Sequence, residues 1–536
     1  MTRHPERIVS CLLTGLAVFL HAFYAFHAGG LWRDEANTVA LATMPTLHDV
    51  WTHLQYDSFP ILWLLVVRAF SAFGVIPDLA YRLLGCFVGF SIIAAVWINA
   101  RLLKFSVPLV SLALLGFSPT IIWWGDSMRA YGFGICLILL TFGLIWRVVT
   151  APGIGTVTLA AVAALCSVQA LYYNGVLLLA MGVAGAVVAV RNRHWKRAFL
   201  VLGIGGLAAL SLIPYVWTIR GASEWNIIIT LPNFDLQRFW IKLSEALSTA
   251  GPGLTWVWVG LASVALATVV TTQFRPAAEE EVDRRQAGWY CLISLLISVP
   301  AYFVFLKILR YPTNGWYYVA LMGFLAMSMD GCLSAWPPRS YPGRGRWILA
   351  LGVVFWSLLP AWNAVSVRLT SVDIAARTLN EQVTAEDMII VNPWYVGVSF
   401  HRYYHGAAPW NTIPPIRFHA FHRYDLVKEQ MAASNPIESL LETINDTLKS
   451  GHRVWIVGYL PFQNTEAPPP PLAPAPSDPV GWSEYAYTTT WATQVADFIK
   501  RRALKGESFG PLTKQPVNRL EEVSILAIEG WRDPSL

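Results

Sequence analysis

Apolar residues fill most of the first two thirds of the chain in runs of roughly twenty, separated by short polar turns. The run 158–190, with its polar break at Tyr172, Tyr173 and Asn174, is a plain example. This pattern predicts eleven membrane-crossing helices near 8–28, 79–100, 106–124, 130–149, 154–172, 174–190, 198–217, 252–272, 288–306, 314–334 and 347–366. A further apolar stretch, 60–75, is shorter and carries Arg68, so it is expected as a juxtamembrane or re-entrant helix that does not cross. The loop 218–251 contains Glu224, Trp225, Asp235, Arg238 and Lys242, and its second half reads as an interfacial amphipathic helix.

After residue 366 the pattern changes. Residues 373–383 read as a helix, Met388 to Val391 as a short buried strand ending at Asn392-Pro393, and 425–448 as one long helix with Gly451 as its stop. Val454 to Val457 and Val523 to Ile528 read as two more strands, which predicts a small α/β domain over 367–536 with a mainly parallel sheet. The proline-rich stretch 467–479 is expected to be a loop or linker.

Composition narrows the class. Of 536 residues, 55% are hydrophobic and 13% charged, with a mean hydropathy of +0.47. Soluble domains carry about 25% charged residues, so the first 366 residues are expected to form a polytopic α-helical membrane domain. Those residues hold 24 basic and 15 acidic side chains, whereas 367–536 hold 15 and 18. The basic pI of about 8.9 therefore comes from loops between spans, not from a nucleic-acid surface. Basic clusters at Arg3 and Arg7, Arg101 and Lys104, Arg147, Arg191 to Arg197, Arg284 and Arg285, and Arg339 to Arg346 all fall on one side if eleven segments cross. The N-terminus is then expected in the cytoplasm, with the loops 29–78 and 218–251 and everything after 366 outside. The first span has a basic start and small residues at its end, like a secretory signal, but its apolar core is too long and it is read as retained. All six cysteines lie in or beside apolar runs and form no zinc spacing.

The first external loop opens with Arg33-Asp34-Glu35-Ala36. Two carboxylates at the membrane surface can orient a hydroxyl and take its proton, which needs only reach and a suitable pKa. The plainer reading is a solvated helix through Ala40 with Asp34 as its N-cap, and the residues alone leave both open. His48, Asp49, His53 and Asp57 follow at irregular spacing that suits polar loop residues better than a metal site.

Taken in order, Asp34-Glu35-Ala36 after the first span, Asp57 three residues before Pro60, Arg82, Arg129-Ala130-Tyr131 and Arg310-Tyr311 form a set. The set resembles the GT-C superfamily of polyprenyl-phosphate-sugar-dependent glycosyltransferases, the group of the protein O-mannosyltransferases and the lipid A aminoarabinose transferase. The resemblance covers about 1–366, followed by a variable extracytoplasmic domain. It implies that Asp34 is the catalytic base or positions the acceptor, supported by Glu35. Arg310, Arg129, Arg82 and Tyr311 are implied as contacts of the donor phosphate, and Asp57, Asp126 and Tyr131 as residues of the substrate cavity. Two positions depart from the family pattern. Phe59 stands where relatives often have His or Lys before the proline, and Ser127 stands where many have an acid, with Asp126 one place earlier.

The implied reaction moves a sugar from a polyprenyl phosphate to an extracytoplasmic glycan, lipid or protein acceptor. The donor already carries a good leaving group, so the main electrostatic task is to stabilise phosphate charge, which arginines do with bidentate hydrogen bonds. External arginines also snorkel or meet lipid headgroups, and Tyr and Trp form interfacial belts. No cofactor is required by this reading, a divalent metal remains possible, and a bacterial inner membrane is the expected location. Two other classes compete: a transporter or flippase of lipid-linked sugars, and a non-catalytic assembly subunit that uses its C-terminal domain for binding.

Overall fold

In the computed structural model, the chain is described outside residues 1–3, 58, 75, 106, 227–233, 275–278, 310–312, 337–340, 464–468, 476–483 and 534–536. Among the described residues, nine helices are long and apolar enough to cross a membrane: Pro5–His27, Asp78–Leu102, Ala130–Thr150, Asn174–Arg191, Trp195–Gly221, Leu254–Thr272, Glu281–Leu309, Gly315–Leu333 and Gly345–Val365. The chain is an integral membrane protein by this measure. Nine of the eleven expected spans are thus long helices, and the other two are helical but shorter. Ile154–Ala170 has 17 residues. The segment expected at 106–124 is broken into Leu109–Gly116 and Pro119–Gly125. Its break follows from chemistry at the join: Pro119 lacks the amide a continuous helix needs, and the Ser118 hydroxyl caps the new start by accepting from the Ile121 amide at 3.4 Å. The non-crossing helix is Ile61–Ser71, whose eleven residues reach about 16 Å against a hydrocarbon core of about 30 Å.

Two compact units divide the chain. The first comprises 1–27, 59–217 and 233–366, and the second 28–58, 218–232 and 367–536. Within the first unit the interior is built around Leu109–Gly116 and Val319–Leu333, in which every residue is buried. Polar side chains there are satisfied inside the bundle. Asn99 donates to the Ala95 and Leu139 carbonyls, each at 2.8 Å. Asp330 accepts from the Ser111 amide at 3.0 Å, the Ser111 hydroxyl at 2.7 Å and Arg346 at 2.7 Å. The amphipathic helix expected in 218–251 is Leu236–Leu247, begun by the Asp235 carboxylate accepting from the Arg238 amide at 2.8 Å.

The second unit holds a five-stranded sheet made of β1 (Met388–Asn392), β2 (Trp410–Thr412), β3 (Val454–Gly458), β4 (Ala503–Phe509) and β5 (Ile525–Trp531), in the order β2-β1-β3-β5-β4. The expectation of a mainly parallel sheet is corrected. β1 runs parallel to β2 and β3, but β5 pairs antiparallel with both β3 and β4. Both faces are covered. Met388, Ile390, Val454 and Ile456 pack with Leu440, Ile444, Val495 and Ile499 on one side, while Ile389, Val391, Trp455 and Val457 pack with Val372, Ala375, Leu379 and Phe400 on the other. Burial on both faces is why β1 and β3 read as unbroken apolar runs.

The helix expected over 425–448 is two helices, Tyr424–Ala432 and Glu438–Lys449, because Pro436 excludes Asn435 from helical backbone. Gly451 ends the second with a φ of +83°, a conformation that favours glycine. Of the proline-rich stretch, residues 469–475 are described and carry no regular structure, and the remainder lies outside the described residues. The loop is fixed where it is described, with the Ala475 amide donating to Met431 O at 2.8 Å and Tyr487 donating to Ala473 O at 3.0 Å.

Candidate functional site

Asp34 lies in the first turn of the helix Arg33–Ala42, in the second unit. The expected N-cap role is corrected: Trp32 occupies the cap in extended backbone, and Asp34 is already helical. Glu35 does the capping work, its buried carboxylate accepting from the Trp32 amide at 3.2 Å. Two acids in the first turn also suit the positive end of the helix dipole.

The helix start is held from several sides within this unit. The Arg33 amide donates to Glu521 Oε1 at 2.8 Å, and its guanidinium donates to Leu520 O at 3.2 Å. The same guanidinium stacks 4.2 Å over the Tyr395 ring and 5.1 Å from that of Trp32. Glu521 is buried and also accepts from the Ser399 hydroxyl at 3.0 Å. Burial pushes its carboxyl up to about 7, an effect that Arg33 and hydrogen bonds from Thr370 and Ser399 only partly offset.

The Asp34 side chain is 25% exposed, with Arg33 Nε 3.6 Å and His422 Nε2 3.3 Å from its Oδ1. His422 also donates its backbone amide to Asn37 Oδ1 at 2.8 Å. Asp34 and Asn37 lie three residues apart on one helix face, so a single segment of the C-terminal region touches both. Thr38, on the same face, donates to the Asp34 carbonyl at 3.1 Å and lies 3.4 Å from Asp57 Oδ2. Asp34, Glu35 and Asp57 are therefore gathered at one short helix, and half-exposed Asp34 carries the carboxylate placed to meet a hydroxyl.

The other candidates described belong to the first unit. Arg129 precedes Ala130–Thr150, is 6% exposed, and its guanidinium sits 4.5 Å over the Phe59 ring. Phe59 in turn meets Tyr131 edge-on at 4.9 Å, and Tyr131 faces Trp124 at 6.0 Å and Tyr317 at 6.4 Å. Phe59, which departs from the family pattern, thus supports Arg129 by cation–π contact. Asp126 faces His21, with His21 Nδ1 2.7 Å from Oδ1 and 2.8 Å from Oδ2, and Arg82 bears electrostatically on the same carboxylate. All three are buried. Gly85 makes room for this loop, since a Cβ there would lie 1.9 Å from the Asp126 carbonyl oxygen. Arg310 and Tyr311 lie outside the described residues.

Sequence reasoning missed His422, Asn37, Glu521 and His21. His422 lies 388 positions beyond Asp34, and no spacing links the two. The one local signal is the basic, aromatic segment Arg417-Phe418-His419-Ala420-Phe421-His422-Arg423. Among the described residues, no group of three or more His, Cys, Asp or Glu is arranged to hold a metal ion.

No protein-family model matches the chain, and no curated protein matches it. Among solved structures, it is similar to ArnT from Cupriavidus metallidurans in the apo state, at 12% identity over 83% of this chain and 92% of that one, with a TM-score of 0.48. It is also similar to the Archaeoglobus fulgidus oligosaccharyltransferase in complex with Zn and sulfate, at 12% identity over 83% of this chain and 67% of that one, with a TM-score of 0.46. The same oligosaccharyltransferase tethered to an acceptor peptide aligns at 11% identity over 94% of this chain and 73% of that one, again with a TM-score of 0.46. At such identities and TM-scores the likeness fixes neither substrate nor residue.

Proposed function

We propose that this protein is a membrane glycosyltransferase that moves a sugar from a polyprenyl-phosphate donor to an extracytoplasmic acceptor, with Asp34 as the base. The observation that carries the reading is the setting of Asp34: a partly exposed carboxylate on a rigidly anchored helix start, with donors on one oxygen. In the step proposed, Asp34 takes the proton of the acceptor hydroxyl while that oxygen bonds to the anomeric carbon. The bond from the anomeric carbon to the phosphate oxygen breaks, and its electron pair leaves on the polyprenyl phosphate, with inversion at carbon. Glu35 serves by setting the helix start. Arg129, Arg82, Arg310 and Tyr311 are proposed to meet the donor phosphate, and Asp57, Asp126 and Tyr131 to shape the cavity, on the strength of the ordered motifs. A phosphate leaving group does not demand a divalent ion, and chelator treatment of membranes tests whether one takes part. We place the N-terminus in the cytoplasm and the site and C-terminal domain outside a bacterial inner membrane, from the distribution of basic loops.

A lipid-linked-sugar transporter is the second reading, favoured by the broken helix Leu109–Gly116/Pro119–Gly125, because discontinuous helices recur in transporters. One experiment separates the two. Envelope glycans and polyprenyl-phosphate sugars are measured by mass spectrometry in cells carrying wild type or Asp34→Asn at matched protein levels. A transferase loses one sugar from an acceptor while the lipid-linked donor persists or accumulates. An Asp34→Asn variant that matches wild type, where deletion alters the glycans, removes Asp34 as base and favours transport.

A further inference from the structure

Asp34 and His422 are brought together by two contacts that reinforce each other. The His422 amide bonds to Asn37 at 2.8 Å, and its Nε2 stands 3.3 Å from Asp34 Oδ1. The imidazole is 6% exposed and boxed by aromatic rings, edge-on to Trp394 at 5.9 Å and tilted against Tyr424 at 5.7 Å. Trp394 is itself held by its indole donating to Glu484. A ring confined in this way keeps its nitrogen aimed at the carboxylate. An ionised carboxylate only accepts hydrogen bonds, so the nitrogen facing it must carry the proton. Arg33 Nε approaches the same oxygen at 3.6 Å, so two donors from different parts of the chain converge on Oδ1.

Resting on the reading of Asp34 as base, we propose that His422 is a positioning residue: its Nε2–H bonds to Asp34 Oδ1 and holds the carboxylate ionised and in one orientation for the acceptor hydroxyl. A catalytic element of the N-terminal loop is then completed by a residue of the C-terminal region. That gives the segment 417–423 a direct part in turnover.

Four variants test this in membrane vesicles, with transfer to the acceptor followed by mass spectrometry and folded protein matched by gel filtration: Asp34→Asn, His422→Ala, His422→Phe and His422→Gln. Phenylalanine preserves the ring between Trp394 and Tyr424 without a donor, whereas the glutamine amide reaches about as far as Nε2. A hydrogen bond to a charged group contributes about 1.5–3 kcal/mol, so His422→Ala and His422→Phe are expected to slow transfer about 10- to 100-fold. His422→Gln is expected to recover to within about threefold of wild type by the same reasoning. A merely structural ring would show the reverse, with Phe active and Gln impaired, and that result overturns the proposal. Wild-type rates in all three His422 variants, or equal loss in all three, overturn it as well. If Asp34→Asn transfers normally, the base assignment itself fails and the positioning role falls with it. If Asp34→Asn is inactive and His422→Phe is not, only the role of His422 is lost.

Discussion

The Leu31 amide donates to the Tyr403 hydroxyl at 2.6 Å, and that hydroxyl lies 3.3 Å from the Leu31 carbonyl oxygen. One phenol therefore serves both polar groups of a buried residue 372 positions away, immediately before the helix that carries Asp34. The chain beside it is close enough that a Cβ on Gly30 would lie 2.9 Å from the same oxygen.

Removing that hydroxyl should loosen the helix start without touching its acids. Tyr403→Phe leaves the Leu31 amide and carbonyl in a buried setting without the phenol, at a cost of about 1–3 kcal/mol. The expected outcome is a lower thermal midpoint in detergent and faster tryptic cleavage within 28–58. An unchanged cleavage rate would mean that the Leu31 contact does not hold the loop.

Asp34 and Glu35 adjoin in sequence but should respond differently to neutralisation. Glu35 is buried and caps the helix through the Trp32 amide, a job glutamine also performs at this position. Glu35→Gln is expected to keep transfer within a few-fold of wild type, and Glu35→Ala to lose about 1 kcal/mol of stability. Asp34→Asn, by contrast, removes a base and should cost about 100-fold or more in rate. Parallel rate and melting measurements check the contrast. A Glu35→Gln variant as inactive as Asp34→Asn would give Glu35 a direct part in the chemistry.

Glu521 gives the second unit a pH dependence of definite sign. Its carboxyl is raised by burial to about 7 from an ordinary value of 4.5. Between those values the native protein keeps a proton that the unfolded chain releases, so stability falls as pH rises through this window. The loss is complete above about 7 and amounts to about 3 kcal/mol from this group. Below about 4.5 both states hold the proton and the penalty is absent. Thermal melts from pH 5 to 8 should therefore show a decline that Glu521→Gln flattens, with the variant more stable than wild type at pH 8. A wild-type decline that survives the substitution would assign it to another group.

Much of the architecture was legible because burial writes itself into sequence. Long apolar runs marked the spans, and the doubly covered strands β1 and β3 stood out as short unbroken apolar stretches. β4 escaped because it is an edge strand whose Leu504, Lys505, Gly506, Glu507 and Ser508 are exposed, so it has no apolar pattern to read. β2 is only three residues long. The site divides the same way. Asp34 and Glu35 are adjacent and acidic after a span, so they are visible locally. His422, Asn37 and Glu521 join them only through tertiary contacts across hundreds of residues, which no period or spacing encodes. Phe59 was noted as a missing polar residue, yet its ring supports the Arg129 guanidinium, a function that sequence identity alone does not suggest.

The interior of the first unit offers a sharper energetic test. Asp330 and Arg346 form an ion pair at 2.7 Å, with side chains 0% and 4% exposed. The pair is embedded in further bonds: Ser111 donates twice to Asp330, and Arg346 donates to the Val107 carbonyl at 3.1 Å. Breaking such a pair from one side strands a buried charge, at about 3–5 kcal/mol, whereas removing both charges is far less costly. Arg346→Met and Asp330→Asn are each expected to lower the yield of monodisperse protein and its melting temperature. The double variant should recover part of the loss, because asparagine still accepts from Ser111 and leaves no unpaired charge. Additive losses in the double variant would mean the two side chains act independently, and the ion pair would then contribute little to holding Val319–Leu333 against the broken helix.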